Sequence, residues 1–196
     1  MNDMPIKYIL EGPKGSGKST LCRALARDLG AEVKSFSDKN TPHIDTLIHD
    51  HLDKNKFIHD RSYLSYLVYG WAQDAHQHFD IKQDSTRLTL ETWSPITRKD
   101  FIQMLDLIDS KLVILYASKP QQLIDRIKER ESFEGKGATQ SEYDSLYLSN
   151  TMFYSYIHIL KTAYDLEGKD SSSKIVSIDI SEDYTVTDIV KMIKEA

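Results

Sequence analysis

Eight residues near the N-terminus constrain this chain more than any other stretch: Gly12-Pro13-Lys14-Gly15-Ser16-Gly17-Lys18-Ser19. Their spacing is that of a phosphate-binding loop, GxxxxGK followed by Ser or Thr. The flanks agree. Ile6 to Leu10 is rich in β-favouring residues and reads as a strand. Ser19 to Leu29 reads as a helix, with Leu21, Leu25 and Leu29 on one face and Gly30 as its stop. Glycines let such a loop turn sharply and approach an anion closely. Successive backbone N–H groups and the positive end of the helix dipole then face that anion. Lys18 can reach β- and γ-phosphates, and the Ser19 hydroxyl can ligate Mg²⁺. Gly12 to Ser19, with Thr20, is the expected site for a nucleoside triphosphate.

Composition narrows the class. The 196 residues are 40% hydrophobic and 28% charged, enough for one domain with a sizeable core. A net charge of -5 gives no global basic field for a nucleic acid polymer. The single cysteine, Cys22, excludes an internal disulfide and reads as a small buried thiol. No apolar run reaches membrane-spanning length and the N-terminus does not read as a signal peptide, so the expected location is cytoplasmic, with no membrane partner.

Along the chain, strands alternate with helices. Ala31 to Phe36 reads as a second strand, Ser37 to Pro42 as a polar turn, and Ile44, Leu47, Ile48 and Leu52 fall at helical spacing. Lys56 to His59 reads as a short strand ending at Asp60-Arg61-Ser62, followed by a helix bearing Tyr63, Tyr66, Tyr69 and Trp71. Residues 73–92 give no clear pattern, and a helix is expected from about Arg98 to Ile108. Lys111 to Ala117 has the continuous apolar character of a strand buried on both faces. Pro120 then opens a helix through Leu123, Ile124 and Ile127. Ser141 to Leu166 reads as a long helix, Lys174 to Ile180 as the last strand, and Thr185 with Asp188 as the cap of a final helix whose stripe is Val186, Ile189, Val190 and Ile193. The expected fold is α/β and three-layered, a P-loop NTPase fold, with a parallel sheet of about five strands between helices. Ligands in such sheets lie beyond the carboxyl ends of the strands. The Gly12 loop, Asp38 and Asp60-Arg61 should therefore converge.

Phosphoryl transfer to a small acceptor needs cations around the phosphates, Mg²⁺, a positioned acceptor and exclusion of water. Arg61 offers a planar fork for an acceptor phosphate or a transferring group. Asp60 can hold Mg²⁺ through water or orient Arg61, the alternative being a structural ion pair. Asp38 can take a proton from a hydroxyl or contact a sugar, and is otherwise a turn residue. Arg126 and Arg130 are one helical turn apart and precede a flexible-looking stretch, Glu131 to Glu142. They would begin a lid near 126–142, or else belong to a solvated face with Asp125 and Glu129. Tyr66, Tyr69 and Trp71 are candidates to stack on a nucleobase or to fill the core. The pairs His49/His51 and His76/His78 have no cysteine or carboxylate set to complete a metal site. Asp165-Leu166-Glu167-Gly168 follows a helix rather than a strand, so its DxxG spacing is read as chance.

Leu10-Glu11-Gly12 through Thr20, Ile58-His59-Asp60-Arg61-Ser62, and the strand followed by Pro120, Arg126 and Arg130 together resemble thymidylate kinases and deoxynucleoside kinases. The resemblance spans most of the chain. It implies ATP and Mg²⁺ as cofactors, a nucleoside or nucleotide as acceptor, and a homodimer. It gives Arg61 the acceptor phosphate, matches Ser65 and Tyr69 to a substrate-binding serine and tyrosine, puts Asp38 where the deoxynucleoside kinases have a catalytic acid, and makes Arg126 and Arg130 lid arginines. Three features depart from the thymidylate kinases. Lys14 stands where their loop carries an acid, Ser37-Asp38-Lys39 replaces an Arg-Glu-Pro stretch, and no arginine follows Arg130 in the lid.

Three readings follow. The first is a kinase that phosphorylates a deoxynucleoside monophosphate. The second is a deoxynucleoside kinase in which Asp38 or Asp60 activates the 5′-hydroxyl. The third is a nucleotide-binding switch or ATPase. Against the third stand the lack of an Asn-Lys-x-Asp guanine-reading sequence and a length short for a typical AAA-type module.

Overall fold

The computed structural model describes residues 8–36, 57–62, 64, 65, 68, 69, 102, 103, 105–107, 110–134 and 139–196. Five strands form one sheet: β1 (Tyr8–Glu11), β2 (Glu32–Ser35), β3 (Phe57–Asp60), β4 (Lys111–Tyr116) and β5 (Ile175–Asp179). Their order across the sheet is β2-β3-β1-β4-β5, and every pairing is parallel. The helices fully bounded among the described residues are α1 (Lys18–Leu29), α2 (Gln121–Glu134), α3 (Gln140–Leu166) and α4 (Val186–Glu195). This is the α/β fold expected of a P-loop NTPase.

Side chains alternate across the central strands, so each strand feeds two cores. Tyr8, Leu10, Val113 and Leu115 pack with Leu21, Cys22 and Leu25 of α1 and Ile193 of α4. Ile9, Leu112 and Ile114 pack on the opposite face with Met152, Phe153, Tyr156 and Leu160 of α3. Both β1 and β3 are buried at all four positions. A strand covered on both faces has no polar face to show, which is why Lys111 to Tyr116 reads as a continuous apolar run.

The topology also fixes where a ligand can enter. After β1 the chain turns into α1 on one face, whereas Leu64 and Val68, which follow β3, pack on the other. These neighbouring strands send their continuations in opposite directions. A crevice opens at their carboxyl ends, as switch points in open α/β sheets require.

Several expectations shift in detail. The stretch from Glu131 to Glu142 is not one flexible segment: α2 continues to Glu134 and α3 begins at Gln140. Thr139 and Glu142 form a reciprocal capping box, which starts α3 one residue earlier than the sequence reading. Gly168 to Ser173 holds a short 3₁₀ turn at Ser171–Ser173 capped by Asp170. Thr185 caps α4 as expected, with Asp188 completing the box. Of the predicted α4 stripe only Ile193 is fully buried, while Val186 is exposed, because α4 meets only the rim of the sheet beside α1. The turn containing Asp38, the helix around Leu47, Tyr66, Trp71, the histidine pairs and residues 73–92 lie outside the described residues.

Candidate active site

The loop after β1 is shaped by contacts that exclude side chains. Gly12 sits at φ +146°, and a Cβ there would lie 2.6 Å from the Leu115 carbonyl oxygen of β4. Gly15 sits at φ +81° with Ile127 of α2 only 3.0 Å from the position of a Cβ. The first glycine lets the loop cross β4, and the second lets α2 close against it. Gly17, also at positive φ, caps α1, so the first N–H groups of the helix are not covered by a side-chain cap.

Lys18 is buried, and its ammonium group donates to the Gly12 carbonyl, to the Pro13 carbonyl at 2.8 Å and to Ser16 Oγ at 3.3 Å. Burial and the neighbouring Arg61 charge push its pKa down to about 8, while Glu11 and Asp60 work the other way. The loop carbonyls are weak partners for a cation, and an anion at the loop would compete for it.

Beside the loop, the Ser19 hydroxyl donates to Asp60 Oδ2 at 2.6 Å. A hydroxyl and a carboxylate at the edge of a phosphate cradle are hard oxygen donors that fit Mg²⁺. Arg61 follows Asp60 at φ +81°, the one positive-φ residue other than glycine among those described. Its backbone N–H donates to the Leu10 carbonyl at 3.0 Å, and its guanidinium lies 5.2 Å from the ring centroid of Tyr69. The Tyr69 hydroxyl in turn donates to the Gly12 carbonyl at 3.2 Å. Tyr69 therefore supports the loop and Arg61 at once. Ser65 is buried, with its hydroxyl on Glu11.

A cavity of about 460 Å³ spans these groups. The loop from Lys14 to Thr20 forms its floor, Asp60 and Arg61 one wall, and Arg126 and Arg130 of α2 another. Arg23, one turn into α1, also lines it. Residues far apart in sequence thus surround the phosphate loop, and Arg126 and Arg130 line its open side while staying exposed. Arg126 is further aimed by a hydrogen bond to the Ile180 carbonyl at 3.1 Å. A second cavity of about 250 Å³ shares Ser16, Gly17, Thr20 and Arg126 with the first, and Leu115, Ile180 and Tyr184 give it an apolar and aromatic wall. No cluster of histidine, cysteine, aspartate and glutamate able to hold a metal by itself occurs among the described residues.

Three site features escape sequence reasoning. Glu11 ends β1 fully buried, and its carboxylate accepts from the Ser62 and Ser65 hydroxyls and from the Ser65 N–H at 3.3 Å. Burial pushes its pKa up to about 7. An acid inside an otherwise apolar strand was the available signal. Glu131, also buried, sits 3.4 Å from the Lys14 ammonium, linking α2 to the loop. Arg23 stands four residues after Ser19 on the same helical face, a spacing that was open to reading.

With this geometry established, comparison with known proteins is informative. The AAA domain family model matches residues 9–146, which cover β1, the loop, the Asp60-Arg61 wall and α2. The chain belongs to this family. Its length, set against an AAA-type module above, is no obstacle, since the match falls within the chain. No curated protein matches at the sequence level. Solved structures share the fold. The YorR protein of Bacillus subtilis, solved with phosphorylated GDP, is 22% identical with a TM-score of 0.57, and the match covers 96% of this chain and 94% of that one. The thymidylate kinase of Candida albicans is 17% identical with a TM-score of 0.54, over 98% and 90%. The deoxyadenosine kinase of M. mycoides with bound dATP is 14% identical with a TM-score of 0.51, over 97% and 98%. The fold that the sequence resembles is therefore the fold the chain adopts. No described helix is long and apolar enough to cross a membrane.

Proposed function

We propose that the chain is a nucleotide kinase that transfers the γ-phosphoryl group of ATP to a deoxynucleoside monophosphate, giving ADP and the diphosphate. The observation that carries this reading is the charge of the larger cavity. Lys14, Lys18, Arg23, Arg61, Arg126 and Arg130 line it against one carboxylate, Asp60, in a chain that is net negative. That excess suits a triphosphate together with a second phosphate-bearing molecule. The two walls suit different roles. Arg126 and Arg130 come from α2 and would hold the transferring group, while Arg61 follows β3 and would hold the acceptor phosphate. The smaller cavity, with Arg126 and Tyr184, would take the adenine of ATP.

Ser19 and Asp60 would hold Mg²⁺, which when bound neutralises phosphate charge and orients the triphosphate. A monophosphate oxygen is already an anionic nucleophile and needs no strong base, so the residues act by positioning and by charge. The hydrogen bond from Ser19 to Asp60 supports a metal-side role for Asp60; the deoxynucleoside kinase reading would use Asp38 as its base instead. YorR with phosphorylated GDP and the deoxyadenosine kinase with dATP support a nucleotide in this fold.

The test is product analysis with ATP, Mg²⁺ and a panel of deoxynucleosides and their monophosphates. Diphosphates from one or a few monophosphates are expected. Monophosphates from nucleosides would move the reaction to the 5′-hydroxyl, and ATP binding with no transfer to either class would favour a switch or ATPase.

A further inference from the structure

Arg61 occupies a backbone conformation that a residue with a side chain adopts only when its surroundings impose it. Three contacts impose it here. On its N-terminal side the Asp60 carboxylate is held by Ser19 at 2.6 Å. Its own N–H is held by the Leu10 carbonyl at 3.0 Å. On its C-terminal side the Ser62 hydroxyl is held by Glu11. Glu11 is the hub of the third contact: it ends β1 immediately before Gly12, it is fully buried, and both its oxygens are engaged, with Ser65 supplying a hydroxyl and an N–H. One carboxylate therefore ties the turn after β3 to the root of the phosphate loop.

We propose that Glu11 is a positioning residue: through Ser62 and Ser65 it clamps the turn that carries Arg61, so that the guanidinium faces the phosphate cavity. Glu11 does not line that cavity, and it would act on the acceptor chiefly through Arg61. This inference rests on the phosphoryl-transfer reading for its kinetic consequence, but its structural content is independent of it.

A double-mutant cycle on the full chain tests the kinetic part. Glu11→Gln is expected to lower kcat/KM for the acceptor about tenfold, with KM for ATP changed by less than about twofold. In an Arg61→Ala background the same substitution should add less than about twofold, because the group it positions is gone. An equal loss in both backgrounds would make Glu11 a general structural residue and overturn the proposal. Ser62→Ala provides the same cycle should Glu11→Gln fail to fold. Hydrogen exchange of the Arg61 N–H, read in the ligand-free protein, separates this idea from the kinase reading. Glu11→Gln or Ser62→Ala should speed that exchange about tenfold while the β1 and β4 amides keep their protection. Unchanged exchange overturns the clamp whatever the chain catalyses. Faster exchange in a protein that transfers phosphate to no acceptor upholds the clamp and removes the kinase reading.

Discussion

At the scale of single residues, charge buried beside the phosphate loop decides most of the behaviour. Lys18 is the cation set deepest in that loop. Lys18→Ala should lower kcat by about 10²-fold or more, the loss typical of removing one preorganised group that stabilises developing charge. Arg61→Ala should instead raise KM for a monophosphate acceptor about tenfold while leaving KM for ATP nearly unchanged. Steady-state kinetics with each substrate varied would separate the two, and an unaltered acceptor KM would return Arg61 to a structural role. Glu11 adds a pH signature. Its carboxyl titrates at about 7 in the folded chain, above the ordinary 4.5, because burial disfavours the charged form. Between about pH 4.5 and 7 the folded state thus keeps a proton that the unfolded state has released, and stability falls as pH rises through that window. Lys18, whose charge faces Glu11, stays protonated across it. Glu11→Gln carries no titrating group, so its Tm should decline less from pH 5 to pH 7 than that of the parent chain. Parallel Tm profiles would show that another group sets the slope.

At the scale of elements, the loop and α2 meet most closely at Gly15, beside the Lys14–Glu131 contact. A methyl group at Gly15 would meet Ile127 at 3.0 Å on a backbone already at φ +81°. Gly15→Ala should therefore displace α2, which carries Arg126 and Arg130, and raise KM for ATP about tenfold, while a fold held by the sheet persists. Circular dichroism beside kinetics would check this, and wild-type KM would show that α2 need not touch the loop. The same coupling explains what sequence could and could not reveal. The strand, loop and α1 were legible because local spacing alone specifies them, as was the Thr185 cap, whereas the Thr139 cap went unread and the helix was expected from Ser141. Arg126 and Arg130 were legible as a pair, but sequence left a lid and a solvated face both open, because a charged helix face looks alike whether it meets solvent or a phosphate site. Glu11 was hidden for the opposite reason. A carboxylate buried against two serines that follow another strand leaves no periodicity, and its partners lie 51 and 54 residues away. Within the stretch Glu131 to Glu142, read as flexible, α2 reaches Glu134 and α3 begins at Gln140, and the buried Glu131 meets Lys14, a long-range contact that sequence spacing does not show.

At the scale of the whole molecule, stability and ligand binding should be separable, since the contacts that hold the sheet to α3 lie away from the phosphate cavity. Asn150 of α3 shows this most clearly. Its side-chain amide donates to the Ala117 carbonyl at 2.9 Å and accepts from the Ala117 N–H at 2.9 Å, just past the end of β4. Both partners are buried, so Asn150→Leu would leave two backbone groups without partners, at a cost of about 1–3 kcal/mol. For a chain of this length that corresponds to a fall in Tm of roughly 2–4 °C per kcal/mol. Ligand linkage works on a different axis. A ligand that binds only the folded state stabilises it by about 2.7 kcal/mol at a hundredfold excess over its Kd. Mg²⁺-ATP should therefore raise the Tm of Asn150→Leu by as much as it raises that of the parent chain, from a lower starting point. Lys18→Ala should show the reverse pattern, a Tm little changed or higher without ligand, since a buried cation is removed, and little response to Mg²⁺-ATP. Thermal melts of the three proteins with and without Mg²⁺-ATP decide the matter. If Asn150→Leu also lost the ligand response, the end of β4 would have to be counted as part of the binding site rather than as its scaffold.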